Sequence, residues 1–134
     1  AAEVAVEGVR ARCVATVGLS NAERVGHRLA RDGAGWGTVN VAVDCDLPLS
    51  EAGLIEALSI VAQARTAALL AHGPRLATGR ATGTGTDCIA VAAPAGNTRF
   101  AGLHTPQGEA IGRAAHDAVA RGTQAWMEAV AHGG

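Results

Sequence analysis

Six consecutive residues, Thr82-Gly83-Thr84-Gly85-Thr86-Asp87, set three hydroxyls and a carboxylate on a backbone thinned by alternating glycine. Glycine lets the main chain approach a ligand closely, and hydroxyl and carboxylate groups can orient or deprotonate what is bound. The same residue types can also simply turn the chain through local side-chain-to-backbone bonding. The segment is not a phosphate loop: it lacks the Gly-Lys-Ser/Thr ending and precedes a strand instead of joining a strand to a helix. A dinucleotide fingerprint fails for the same reason of order. The wider stretch Arg80 to Pro94 is where an active or ligand-binding site is expected.

A second set of groups follows in Gly102-Leu103-His104-Thr105-Pro106-Gln107-Gly108-Glu109. His104 stands just ahead of an expected helix start, where free N–H groups and the dipole favour an anion or a developing oxyanion. A neutral imidazole there suits a general base. Glu109 falls in the same first turn. In the structural reading Glu109 only complements the dipole and His104 only packs the helix entry. Asn21 and Asn40 come third: Asn40 is polar in mid-strand and needs a partner if buried, which a substrate amide or a neighbouring strand can supply. Cys88 has no evident activating base in its apolar run and reads as core. His27, His72, His116 and His132 fall on expected solvated faces without metal spacing.

These groups need a scaffold to position them. Residues 11–17 alternate and are β-branched, and Thr38 to Val43 alternates with Val39, Val41 and Val43 on one face; both read as strands. Asn21 to Asp32 is expected to be a short helix. Ser50 caps a long helix with Glu51 in its first turn, ending at His72-Gly73-Pro74. Its expected apolar face is Leu54, Ile55, Leu58, Val61, Ala62 and Leu69. A loop from Arg75 to Thr86 leads to the apolar run Cys88 to Ala93, expected to be a strand buried on both faces. Thr105 as N-cap with Pro106 at N1 opens a second long helix. Its apolar side is Ile111, Ala115, Val119, Trp126 and Val130; Gly122 is the one place where it could break. The sum is one domain over 1–134 of order β–β–α–β–α. The class is α/β, with α+β as the alternative, and two long helices pack on a sheet.

Composition narrows the chemistry. The 134 residues carry a net charge of −1 and no basic stripe, so no nucleic-acid partner is expected. Trp36, Phe100 and Trp126 are the only aromatics, too few for base-stacking platforms. All basic residues are Arg, which excludes lysine Schiff bases and lysine phosphate clamps. Cys13, Cys45 and Cys88 are scattered and odd in number, arguing for a reducing, cytoplasmic setting without disulfides or a zinc site. No apolar run is read as reaching transmembrane length, so no membrane partner is expected. Ala-rich helices suit close packing between subunits, and a homo-oligomer is expected.

Taken together and in this order, the segments resemble the adenosylcobinamide amidohydrolase family (CbiZ). The blocks carrying the likeness are Thr16-Val17-Gly18-Leu19-Ser20-Asn21-Ala22, Gly37-Thr38-Val39-Asn40-Val41, and Pro48-Leu49-Ser50 with Ala64-Arg65-Thr66-Ala67-Ala68-Leu69. Ala77-Thr78-Gly79 ahead of the Thr82–Asp87 loop, and Ala101-Gly102-Leu103-His104-Thr105 with Gly108-Glu109-Ala110-Ile111-Gly112-Arg113-Ala114, complete it. Family members are longer at the N-terminus, so the resemblance implies that part of the domain is missing. It also implies hydrolysis of the amide joining a corrin propionate to aminopropanol, giving adenosylcobyric acid. The corrinoid is then the substrate and no cofactor is required; a metal on Asp87, His104 and Glu109 is compatible but not demanded. The expected roles are His104, oriented by Asp87, as base toward a water or a threonine hydroxyl, and Glu109 as acid to the leaving amine or anchor for its hydroxyl. Asn21, Asn40, Thr82, Gly83, Thr84, Gly85, Thr86 and Thr105 are expected to bind substrate or hold the oxyanion. Two other readings stand beside this: a non-catalytic corrinoid or small-metabolite binding module acting as an oligomer, and a purely structural subunit.

Overall fold

Glu7 and Gly8 both take positive φ, 48° and 83°, the backbone that a two-residue hairpin turn requires. In a computed structural model, which describes residues 1–33 and 35–133, this turn joins β1 (Ala2–Val6) to β2 (Val9–Val17). The first strand was not foreseen, although its alternation of Ala2, Val4 and Val6 with Glu3 and Ala5 is a strand signal. A short β3 (Ala22–Glu23) follows, then β4 (Val39–Cys45). Helix α1 (Glu51–His72) leads through the two-residue strands β5 (Arg75–Leu76), β6 (Gly79–Arg80) and β7 (Gly83–Thr84) to β8 (Cys88–Ala92). Helix α2 (Pro106–Gly133) closes the order.

The main sheet runs β1-β2-β4-β8. The first three strands are antiparallel neighbours, and β4 pairs in parallel with β8 from Asn40↔Cys88 to Asp44↔Ala92. The parallel pair needs a crossover, which α1 supplies. Helix α2 packs on β1, β2 and β4, and α1 packs on α2 and β8. The α/β class with two long helices on a sheet is therefore what the chain adopts.

Among the described residues, those of α1 and α2 cover one face of the sheet and leave the other open. Val9, Ala11 and Cys13 of β2 and Val39, Val41, Val43 and Cys45 of β4 point into the core. Arg10, Arg12, Val14, Asn40 and Ala42 alternate with them on the open side. This corrects the reading of Cys88 to Ala93. Strand β8 is an edge strand, with Cys88, Ala90 and Ala92 exposed and Ile89 and Val91 half-buried. An apolar run shows that side chains tolerate burial, not that a second layer exists to bury them.

Ser50 caps α1 as expected, its hydroxyl accepting from Gly53 N at 3.2 Å and donating to Thr98 O at 3.2 Å. The buried face is Gly53, Ala57, Ile60, Val61, Ala64, Ala68 and Leu69. Of the expected face only Val61 and Leu69 are in the core, and Ile55 is 65% exposed. Small residues let α1 lie close to its neighbours, so the narrow alanine side was chosen over the bulkier one. By length and composition α1 is also apolar enough to cross a membrane, with a mean hydropathy of 1.5 over 18 residues. That overturns the reading that no run reaches such a length; here about a third of that window is buried inside the fold.

Helix α2 is continuous through Gly122, where a Cβ would sit 2.6 Å from Val17 Cγ2. Ile111, Ala115 and Val119 are buried as expected, whereas Val130 lies in exposed last turns. The helix expected over Asn21 to Asp32 does not form. Gly26 takes φ 80°, and the Glu23 carboxylate accepts from Leu29 N at 3.2 Å and Arg31 Nε at 2.9 Å, which holds this segment as a loop.

Candidate active site

Asp87 precedes β8, and its carboxylate gathers donors from three segments. Oδ1 accepts from Val39 N at 3.2 Å, Thr84 N at 3.0 Å and Thr84 Oγ1 at 2.5 Å. Oδ2 takes an ion pair and hydrogen bond from Arg65 Nη1 on α1. The two side chains are only 18% and 10% exposed, so the pair is largely removed from water. Gly83 must be glycine here, because a Cβ would lie 2.6 Å from Asp87 Oδ2.

The loop is tied on its other side as well. Thr86 Oγ1 donates to Gly37 O at 2.9 Å, Thr38 Oγ1 donates to Thr86 O at 2.7 Å, and Asn21 Nδ2 reaches Thr86 Oγ1 at 3.5 Å. Strand β3 pairs with β7, matching Ala22 with Thr84 and Glu23 with Gly83. Thr82 is buried and accepts from Val25 N at 2.8 Å. Together Arg65, Thr82, Gly83, Thr84, Gly85 and Asp87 line much of a cavity of about 330 Å³. Gly85 has no atom within 4 Å of where a Cβ would stand, so its small size is not explained by packing. Asn21 Oδ1 and Arg65 Nε are buried and have no hydrogen-bond partner among the described residues. Buried polar atoms are nearly always paired, so both are groups that a bound molecule or water would satisfy.

Arg65 was missed as a site residue. It is the only charged residue between Glu56 and His72, and a lone charge in a long apolar helix is the signal that marks it.

The His104 turn lies elsewhere. Gly102 lies against the Glu56 carboxylate, while Asp87 is held by Arg65. Nine residues of α1 separate those two anchors, about 14 Å along the axis at 1.5 Å per residue. His104 is exposed. Thr105 is a helix cap, its Oγ1 accepting from Gly108 N at 3.0 Å and donating to Gly102 O at 2.8 Å. Glu109 is exposed and pairs with Arg113 at 3.7 Å. So Asp87 does not orient His104, and Asp87, His104 and Glu109 do not form a joint metal donor set. Among the described residues no other cluster of three such ligands occurs.

Asn40 is on the open face, donating from Nδ2 to Thr16 Oγ1 at 3.2 Å, so the buried mid-strand amide expected of it is not present. Cys88, read as core, is exposed beside it.

A family model described as adenosylcobinamide amidohydrolase matches residues 1–131. The chain belongs to the adenosylcobinamide amidohydrolase family. No curated protein and no solved structure matches it. Family membership makes the chain a hydrolase of the amidohydrolase kind. The sequence blocks that suggested this adenosylcobinamide amidohydrolase relationship fall into two groups at opposite ends of the sheet. Those at Thr16–Ala22, Gly37–Val41, Ala64–Leu69 and Thr82–Asp87 meet around the Asp87 carboxylate. The Pro48–Ser50 block, which bridges to Ala95 and Thr98, and the block holding His104 sit at the far end.

Proposed function

We propose that this chain hydrolyses the aminopropanol amide of adenosylcobinamide, giving adenosylcobyric acid and the free amino alcohol, at the cavity around Asp87. The family match over residues 1–131 carries the reading, and the convergence of four of the sequence blocks on one carboxylate supports the location.

Amide hydrolysis needs a nucleophile, a proton acceptor that becomes a donor, and a stabiliser for the oxyanion. The Thr84 hydroxyl already points its proton at Asp87 Oδ1, 2.5 Å away, and is the nucleophile in this proposal. Thr84 Oγ1 attacks the amide carbon as its proton passes to Asp87. The oxyanion is held by loop N–H groups around Gly85. When the C–N bond breaks, Asp87 returns the proton to the departing aminopropanol nitrogen, leaving an acyl ester on Thr84. A water, deprotonated through the same carboxylate, hydrolyses the ester and restores the threonine. Arg65 keeps Asp87 in place between steps. Asn21, with an unpartnered carbonyl oxygen, supplies an acceptor for the substrate's amide or hydroxyl.

The test is release of aminopropanol from adenosylcobinamide by the purified protein. Thr84→Ala is expected to slow release by about 100-fold or more in a chain that still folds cooperatively, its melting temperature somewhat lowered by the lost hydrogen bond to Asp87. His104→Ala is expected to stay near the parent rate. Near-parent hydrolysis by Thr84→Ala overturns the assignment, and a collapse in His104→Ala moves the reaction to the other end of the sheet. Saturable binding of adenosylcobinamide by the parent protein without release would favour the binding-module reading.

A further inference from the structure

An antiparallel sheet with one face in solvent normally carries long polar side chains there. In this chain the centre of the open face is bare. Val14, Ala42 and Ala90 stand side by side in register, with Ala92 next along β8, and Val14 is 61% exposed. They floor a concavity of about 770 Å³ that extends over β1, β2, β4 and β8. Three strand spacings make this floor about 14 Å across.

The floor has two unlike ends. One is polar and fixed: Arg12 forms a two-pronged pair with Asp44, Nη2–Oδ2 2.6 Å and Nε–Oδ1 3.2 Å, beside Glu3. The other is the row Thr16, Asn40 and Cys88, one step further along the same strands. That row adjoins the loop where Val39 N binds Asp87 and where Asn21 Oδ1 lacks a partner. The cavity at Asp87, at 330 Å³, takes an amide and a short amino alcohol but not a macrocycle.

We propose that the open sheet face seats the corrin ring, with the scissile side chain reaching past Asn40 to Thr84. This rests on the function proposed above and extends it. A corrinoid is a broad, flat, largely hydrocarbon ring system edged by carboxamide arms. One-carbon side chains let such a face lie close to the sheet, and no aromatic stacking partner is needed. The Arg12–Asp44 pair, Glu3, Asn40 and Thr16 offer the donors and acceptors that carboxamide arms require.

The test is absorbance-monitored titration of the protein with adenosylcobinamide, alongside aminopropanol release, for the parent, Ala90→Trp and Ala42→Glu. Both substituted side chains project from an exposed face, so the melting temperature should hold. Each is expected to weaken corrinoid binding at least tenfold and to raise KM more than it lowers kcat. If the parent binds and hydrolyses the substrate while both variants match it, the ring sits elsewhere and the proposed function stands. If the parent neither binds nor hydrolyses, both proposals fall. If sedimentation shows a dimer that Ala90→Trp splits while corrinoid binding is unchanged, the face is an interface with a second copy and the ring-seat proposal is overturned.

Discussion

A carboxylate that accepts from Arg65, Val39 and twice from Thr84 is first of all a structural junction. Asp87 fixes the Thr84 hydroxyl relative to α1 and the start of β4, so the geometry of the loop follows from one side chain. Cysteine chemistry separates just as clearly by position. Burial pushes the Cys13 thiol up to about 11 and raises that of Cys45 as well, whereas Cys88 is exposed on the open face. The thiolate is the reactive form. A chromogenic disulfide reagent at pH 8 should therefore modify one thiol per native chain and three after denaturation. Fast modification of more than one in the native protein would contradict the packing of β2 against β4 beneath α2.

At the scale of elements, α2 is held by where its first turn docks. A Cβ on Gly108 would run into the backbone carbonyls of Gly102 and Ala101. Glycine to alanine in a helix normally gains about 1 kcal/mol, but here the obstacle is main chain and cannot swing away. Gly108→Ala is expected to destabilise by about 2 kcal/mol. Gly112→Ala is the contrast, since its Cβ meets only Ile60 Cγ2, at 3.3 Å, and it should be near neutral. Urea unfolding of both variants measures the difference, and equal midpoints would refute the docking argument. The crossover also explains which end of the sheet is free. Leu49 bridges to Ala95 and Thr98, closing the carboxyl ends of β4 and β8, where α/β sheets usually seat ligands. The amino ends, where Asp87 lies, are left to the loops.

For the molecule as a whole, acid sensitivity follows from its ion pairs. The hydrogen bonds from Arg12 hold Asp44 below the usual carboxylate range, and those from Arg31 and the Leu29 N–H do the same for Glu23. Lowered folded values mean stability that is present above the unfolded value, near 4, and is lost as pH falls through the folded one. Thermal stability should be level from neutral to about pH 5 and decline below about pH 4. The Arg12–Asp44 pair is about half exposed while Glu23 is only 21% exposed, so the Asp44 part is modest and shrinks in high salt. Loss beginning between pH 6 and 7 would point instead to a histidine and contradict this account.

Local periodicity by itself determined the two capped helices, the inward valines of β4 and the class of the fold, because alternation and capping act within a few residues. It also marked the glycine-threonine loop, whose composition has no ordinary place in a core. Only the tertiary structure decided that one sheet face stays open, that α1 buries its alanines and not Ile55, and that His104 and Asp87 lie at opposite ends. Burial and juxtaposition depend on what arrives from distant sequence. Asp87 meets Arg65 and not His104 because the α1 crossover carries the chain past the amino end of β8 before α2 begins.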